Sequence, residues 1–255
     1  MATNRQNGSL YTNITGKVAT VEFGHPAGNS FMLEMLDRFA DEIRKLSDNG
    51  SISVIVLKSE GDRAFCGGAS FDELVAISNL DEGKIFFSGF AKVINAMRKC
   101  KKVIVGRVQG KTVGGGVGLV SACDFVFASE AASIRLSELS IGIAPLVIAP
   151  VVARKIGTAA LSEMSLSPTE WKSAYWAQEK GLFSKVFDDI KELNKELEFF
   201  TNQLSGYNPD ALLEWKSVLW EGTSHWDALL PERAAITGKL VLSEFTKNAL
   251  SKFKK

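Results

Sequence analysis

The sequence predicts an α/β protein: a βα repeat with parallel strands over roughly the first 190 residues, then a helical C-terminal part. Three observations predict it. A β-branched run, a glycine cluster and a helical segment follow one another at residues 52–77, and the same order returns at residues 103–124. From residue 190 onward the rhythm is lost and the apolar spacing is helical throughout. Repeated crossovers of the first kind imply parallel strands with right-handed connections.

Residues 11–14 and 18–23 are short β-rich runs around Thr15-Gly16-Lys17, the pattern of an opening hairpin. A turn with Gly24, Pro26 and Gly28 follows. Met32, Met35, Leu36, Phe39, Ile43 and Leu46 then recur at helical spacing with charged residues between them, so this helix buries one face. Residues 52–57 read as a fully buried strand, which the glycine-rich 64–70 cannot continue. Helices resume at 71–77 and at about 84–98, the second with a stripe of Ile85, Phe86, Phe90, Val93, Ile94 and Met97. Strands follow at 103–105, 125–128 and 133–136.

Residues 145–156 carry no charge before Arg154 and read as a buried helix that begins at Pro145, where a missing N–H costs nothing. Ser167-Pro168-Thr169-Glu170 has the form of a capping box, and Gly181 ends the helix it would start. Helices at 190–203, 210–220 and 231 to about 253 complete the chain, where Trp215, Trp220 and Trp226 concentrate. This helical part either folds over the core or mediates assembly.

Two segments carry the chemistry. Val103-Ile104-Val105 leads through Gly110, Gly114, Gly115, Gly116 and Gly118 into a small-residue helix, so backbone N–H groups approach a ligand at the positive end of a helix dipole. Such a turn suits negative charge on oxygen. Glu138 stands among small and apolar neighbours, where desolvation raises a carboxyl pKa. An anion-stabilising backbone and one tuned carboxylate suffice for proton transfer next to a carbonyl. The plain alternatives remain: the glycines permit close helix–strand packing, and Glu138 is a helix-end or salt-bridged carboxylate.

Other classes fit less well. With 30 Lys+Arg against 29 Asp+Glu, the charge balance does not call for nucleic acid or an acidic membrane. With 45% hydrophobic residues the 255-residue chain can bury roughly three quarters of its unfolded surface without disulfides or metal. Cys66, Cys100 and Cys123 are odd in number and lack metal-ligand spacing, as expected of reduced thiols in a cytoplasmic protein. Neither a secretion signal nor a membrane span is expected. The glycine cluster lacks the Lys-Ser/Thr of a P-loop and the G-x-G-x-x-G spacing. His25 and His225 read as surface residues, and no G-x-S-x-G occurs.

Taken together, two motifs resemble the crotonase superfamily, the enoyl-CoA hydratase/isomerase family, over essentially the whole chain. Ala64-Phe65-Cys66-Gly67-Gly68-Ala69-Ser70-Phe71 is similar to that family's A-F-x-x-G-A-D segment. Gly114-Gly115-Gly116-Val117-Gly118-Leu119 with Ala122-Cys123-Asp124 is similar to its G-G-G-x-E-L-x-x-x-C-D, and Glu138, Gly142 and Pro145 to its E-x-x-x-G-x-x-P. His25-Pro26 with Asn29, and Lys180-Gly181-Leu182-Phe183, resemble two further elements.

The resemblance implies a crotonase-like ββα superhelix (spiral) over residues 1–190 that binds acyl-CoA. It also implies a helical region over 191–255 for trimerisation and completion of the CoA pocket. It implies that the Ala69 and Gly115 amides form an oxyanion hole for a thioester carbonyl, with Glu138 as acid/base. Phe65, Gly67, Gly68, Phe71, Gly114, Gly118 and Pro145 would line the thioester site. Arg63 would lie near the CoA phosphates, and Lys252 and Phe253 would reach a neighbouring subunit's CoA. The implied partners are an acyl-CoA substrate and copies of the chain in a homotrimer or hexamer, with no nucleic acid or membrane. No metal and no cofactor is implied, coenzyme A being part of the substrate.

One departure matters: Gly118 stands where the best-known hydratases carry the first of two glutamates. A bacterial branch associated with methylglutaconyl-CoA hydration, and so with leucine degradation, also tends to glycine there. Hydration of a branched or carboxylated 2-enoyl-CoA is therefore narrowly favoured. Conversion of 3-enoyl-CoA to 2-enoyl-CoA by Glu138 alone is the alternative, and an inactive acyl-CoA-binding member the third.

Overall fold

The structure is a computed structural model that describes residues 8–252. A hairpin of β1 (Ser9–Thr15) and β2 (Val18–Gly24) opens the chain, and α1 (Leu33–Asp48) follows. Met35, Leu36, Phe39, Ala40, Ile43 and Leu46 of α1 are buried, the face that their spacing predicts. Three turns of a spiral come next, each placing one strand in a large sheet and one in a small sheet. These are β3 (Val54–Ser59) with β4 (Ala64–Cys66), β5 (Val103–Val108) with β6 (Lys111–Val113), and β7 (Phe125–Ser129) with β8 (Ser133–Arg135). After the first pair come α2 (Phe71–Ala76) and α3 (Leu80–Lys99), after the second α4 (Gly115–Ser121), and after the third a tight 3-10 turn (Glu138–Ile141).

The chain continues through α5 (Ala149–Leu166), β9 (Lys172–Ser173), α6 (Ala174–Glu179) and β10 (Lys185–Phe187). Four helices close it: α7 (Ile190–Ser205), α8 (Pro209–Leu219), α9 (Trp226–Val241) and α10 (Glu244–Ser251). The six-stranded sheet runs β1-β2-β3-β5-β7-β10, parallel except for the hairpin. The second sheet runs β4-β6-β8-β9, with only β9 antiparallel.

The central strands of the large sheet are buried on both faces, which is why β3, β5 and β7 read as apolar runs rather than alternating ones. Its inner face packs with α1, α3, α4 and the small sheet into the main core. Its outer face carries Val18, Val54, Val56, Val105 and Phe127, covered by Leu193 and Leu197 of α7. Helix α9 lies along α3, so the C-terminal region reaches both sides of the core. Among the described residues no helix is long and apolar enough to cross a membrane.

Several expected elements differ. The strand expected from residue 52 begins at Val54, because Ser53 and Val54 donate first to Lys17 O. Ala64–Cys66 is a strand inside the glycine-rich stretch, held by long-range pairing to β6. Ile85 leaves the apolar stripe of α3 and is 54% exposed. The helix expected from Pro145 starts at Ala149, since Pro150 inside it would leave a backbone carbonyl without its donor; Pro150 occupies the first turn instead. Ser167 ends α5 rather than capping a new helix. Lys172–Ser173 is drawn into the small sheet as β9, so Ser173 becomes the cap of α6, accepting from Trp176 N. The single helix expected from residue 231 is two: Pro231 lies inside α9, and the chain breaks where Ser243 caps α10.

Candidate functional site

The two glycine turns meet. After β4, Phe31 N donates to Gly68 O (2.8 Å) and Ser70 N donates to Phe31 O (2.7 Å). This isolated parallel bridge pins the peptides on either side of Ala69, so the Ala69 N–H points away from Phe31. The Gly68 N–H is taken by Cys66 Sγ (3.4 Å), a thiol that burial pushes up to about 12. Gly68 has φ +89° and a Cβ there would lie 3.0 Å from Val113 O, so only glycine makes the turn. After β6, Gly114 N donates to Arg135 O (2.9 Å) and Gly114 adopts φ +53°. Gly115 N is then the first amide of α4, where no partner within the helix exists.

A Cβ on Gly68 would sit 3.8 Å from Gly115 N, which makes the two loops immediate neighbours. Among the described residues neither the Ala69 amide nor the Gly115 amide has an acceptor. Both line a cavity of about 300 Å³ that also contains Glu138.

Glu138 opens the 3-10 turn, which Gly142 closes at φ +84°. Its carboxyl lies against the Gly114 turn: a Cβ at Gly114 would come 2.8 Å from Oε1. Oε2 is buried and has no hydrogen-bond partner. Burial pushes the Glu138 carboxyl up to about 7, opposed by its own backbone N–H, the Arg135 charge and the Ser137 N–H. This is a carboxyl able to take and return a proton near neutral pH. The remaining wall is mostly apolar, with Phe71 and Leu74 of α2, Phe87 and Phe90 of α3, and the loop from Ile143 to Ile148.

Of the residues expected at the site, Gly67, Gly68, Ala69, Phe71, Gly114, Gly115, Glu138 and Pro145 line this one cavity. Phe65 does not. It is fully buried, edge-on to Phe23 at 5.3 Å, and belongs to the core. Gly118 does not line the cavity either: a Cβ there would meet Ile148 Cγ2 at 2.5 Å, so the isoleucine fills the space a longer side chain at 118 would need. Arg63 is exposed outside the cavity, its carbonyl accepting from Lys111 N (3.3 Å). Lys252 is exposed at the end of α10, and Phe253 lies outside the described residues.

Sequence reasoning missed Arg135, Ser137, Ile148 and Thr237 on the cavity wall. For Arg135 a signal existed: in a strand with Ile134 turned to the core, alternation turns residue 135 the other way. Thr237 arrives from α9, a placement that only the tertiary fold makes. Glu73 is structural, its carboxylate accepting Leu33 N (2.8 Å) at the start of α1. Among the described residues no cluster of His, Cys, Asp or Glu stands at metal-binding distance.

The chain is similar to several known proteins. A sequence model described as enoyl-CoA hydratase/isomerase matches residues 13–248. The chain is 28% identical over 203 residues to the peroxisomal Delta(3,5)-Delta(2,4)-dienoyl-CoA isomerase of Arabidopsis thaliana, covering 75% of the chain and 72% of that protein. It is 29% identical over 233 residues to the mitochondrial enoyl-CoA hydratase of Pongo abelii, covering 91% and 77%. The crystal structure of an enoyl-CoA hydratase from Bacillus halodurans superposes with a TM-score of 0.88 at 20% identity, over 95% of this chain and 99% of that one, and shares its fold.

Proposed function

The chain belongs to the enoyl-CoA hydratase/isomerase family, and from that premise we propose that it moves the double bond of an enoyl-CoA thioester, with Glu138 as the single acid/base. The observation that carries this reading is the solitary carboxyl. Among the described residues Glu138 is the only acid on the cavity wall, and Ile148 occupies the space beside Gly118.

The thioester oxygen accepts the Ala69 and Gly115 amides. Ionised Glu138 takes a proton from C2 of a 3-enoyl-CoA, and the electron pair of that C–H bond delocalises onto the thioester oxygen as a dienolate. The two amides hold that charge, each contributing about 3–4 kcal/mol to the transition state. Protonated Glu138 then delivers its proton to C4, the double bond settles between C2 and C3, and the carboxylate is restored. A carboxyl with pKa about 7 suits both halves of this transfer.

Hydration is the second reading, including that of a methylglutaconyl-type substrate. A relative named enoyl-CoA hydratase matches 91% of the chain, and Ser137 brings a hydroxyl to the Glu138 wall to orient a water. Incubation with a 3-enoyl-CoA and, separately, a 2-enoyl-CoA in ¹⁸O-labelled water decides between them. Migration of the double bond without label supports isomerisation; label at C3 of the product supports hydration and removes the first reading.

Assembly as a trimer or hexamer belongs to the same proposal. It is supported by the apolar side chains Trp215, Val218 and Leu219 left exposed on α8. Completion of the CoA pocket by the C-terminal region, and a role for Arg63 near the CoA phosphates, are further parts of it.

A further inference from the structure

We infer that Arg135 selects the acyl group: the cavity takes enoyl-CoA thioesters whose acyl chain ends in a carboxylate, and the Arg135 guanidinium binds that carboxylate. This rests on the acyl-CoA reading above, where a carboxylated acyl group is already one expectation, and adds the residue that would recognise it.

Arg135 ends β8, paired with Val113 of β6, and both residues line the cavity. Its position is firm, because its carbonyl accepts Gly114 N and its neighbour Ile134 is fully buried. The guanidinium lies over the Trp171 ring, Cζ 4.4 Å from the centroid, and Lys111 Nζ approaches the same ring at 5.1 Å. Stacking on an indole fixes the plane of a guanidinium while leaving its edge donors free. Two like charges thus share one aromatic platform. Among the described residues neither has a carboxylate within ion-pair distance.

Arg135 Nε is buried without a hydrogen-bond partner. Such a cation at the wall of an apolar cavity is costly unless something pairs with it. Glu138 shares the wall but is beyond ion-pair distance, and its carboxyl is pushed up to about 7, so it is a partial counter-charge at neutral pH. A hydrocarbon chain would need none of this; Phe71, Leu74 and Phe87 already suffice for it. A carboxylate matches the planar donor fork.

The same anion chemistry could come from the phosphates of coenzyme A, so the test separates the two sources. Saturated thioesters, which cannot react, are titrated calorimetrically into the wild type, Arg135→Met and Arg135→Gln: hexanoyl-CoA against glutaryl-, adipyl- and suberyl-CoA. The inference predicts that the wild type binds at least one carboxylate-ended ester about 10–100-fold more tightly than hexanoyl-CoA. Both variants lose that preference while keeping their affinity for hexanoyl-CoA, which also reports that they are folded. Equal weakening of hexanoyl-CoA and the carboxylate-ended esters assigns Arg135 to the phosphates or to the fold and overturns the inference. So does a wild type without preference. If no ester binds the wild type, the acyl-CoA reading falls and this inference with it.

Discussion

Asp124 and Glu138 lie on either side of β7 and β8, and the chain treats the two carboxyls in opposite ways. The Asp124 side chain, 5% exposed, is fully partnered: Oδ1 accepts Trp220 Nε1 (2.9 Å), and Oδ2 accepts Ile104 N (2.8 Å) and Lys216 Nζ (3.0 Å). Lys216 in turn donates to Lys102 O (2.6 Å), so one carboxylate ties α4, β5 and α8 together. Glu138 has a buried oxygen with no partner and a carboxyl pushed up to about 7. A satisfied carboxylate is a structural bolt, and an unsatisfied one in a cavity is a reagent. The difference lies in the surroundings rather than in the residue type.

The contrast is broken most directly by exchanging the roles. Glu138→Gln should lower turnover about 10²–10⁴-fold, as removal of an acid–base group does, with CoA-ester affinity nearly unchanged. Steady-state rates and ligand titration check it, and retention of activity within about tenfold removes Glu138 from the mechanism. Asp124→Ala should do the reverse, leaving Lys216 buried and unpaired at a cost of about 3–5 kcal/mol in urea unfolding. Any loss of turnover in its folded fraction should be small.

The pH dependence of stability sharpens the comparison. Glu138 has a folded pKa raised above its unfolded value. The stability it contributes is fully present below about pH 4.5 and is lost as pH rises through about 7. Glu138→Gln should therefore match the wild type near pH 4 and exceed it by on the order of 2–3 kcal/mol at pH 8–9. Thermal unfolding across that range reads the crossover; a constant difference at all pH values contradicts a raised pKa. The smallest effect is expected at Gly118. Gly118→Ala meets Ile148 and should cost about 1–3 kcal/mol by overpacking, relieved in combination with Ile148→Ala.

Much of this architecture is legible in the sequence, for physical reasons. The long strands β3, β5 and β7 are apolar because the centre of the large sheet is covered on both faces, and α1 shows its buried face by spacing alone. The turn at Gly115 and the carboxyl of Glu138 are visible because tight turns demand glycine and because Glu138 is set among small and apolar residues, while Ala69 is reached only through the family resemblance. The small sheet is legible only at β8, expected over 133–136; β4, β6 and β9 have two or three residues and exist only through pairing with distant partners. The helix start expected at Pro145 is shifted by Pro150, a local signal in the sequence itself, whereas the Ser167 cap is plausible locally and loses to the pairing that draws Lys172–Ser173 into the small sheet. Phe65 follows the same logic, since a motif places it beside the site while an aromatic cluster draws its side chain into the core. That Ile148 fills the space beside Gly118 is a contact between residues far apart in the chain, beyond the reach of any periodicity.

The account turns on the protonation of one buried carboxyl. Infrared difference spectroscopy of the wild type against Glu138→Gln, followed from pH 4 to pH 9, isolates the carboxyl stretch of residue 138. A midpoint near pH 7 is the predicted result. A midpoint near the ordinary 4.5 would mean that the side chain is solvated or paired, and would contradict its role as the acid/base of this site.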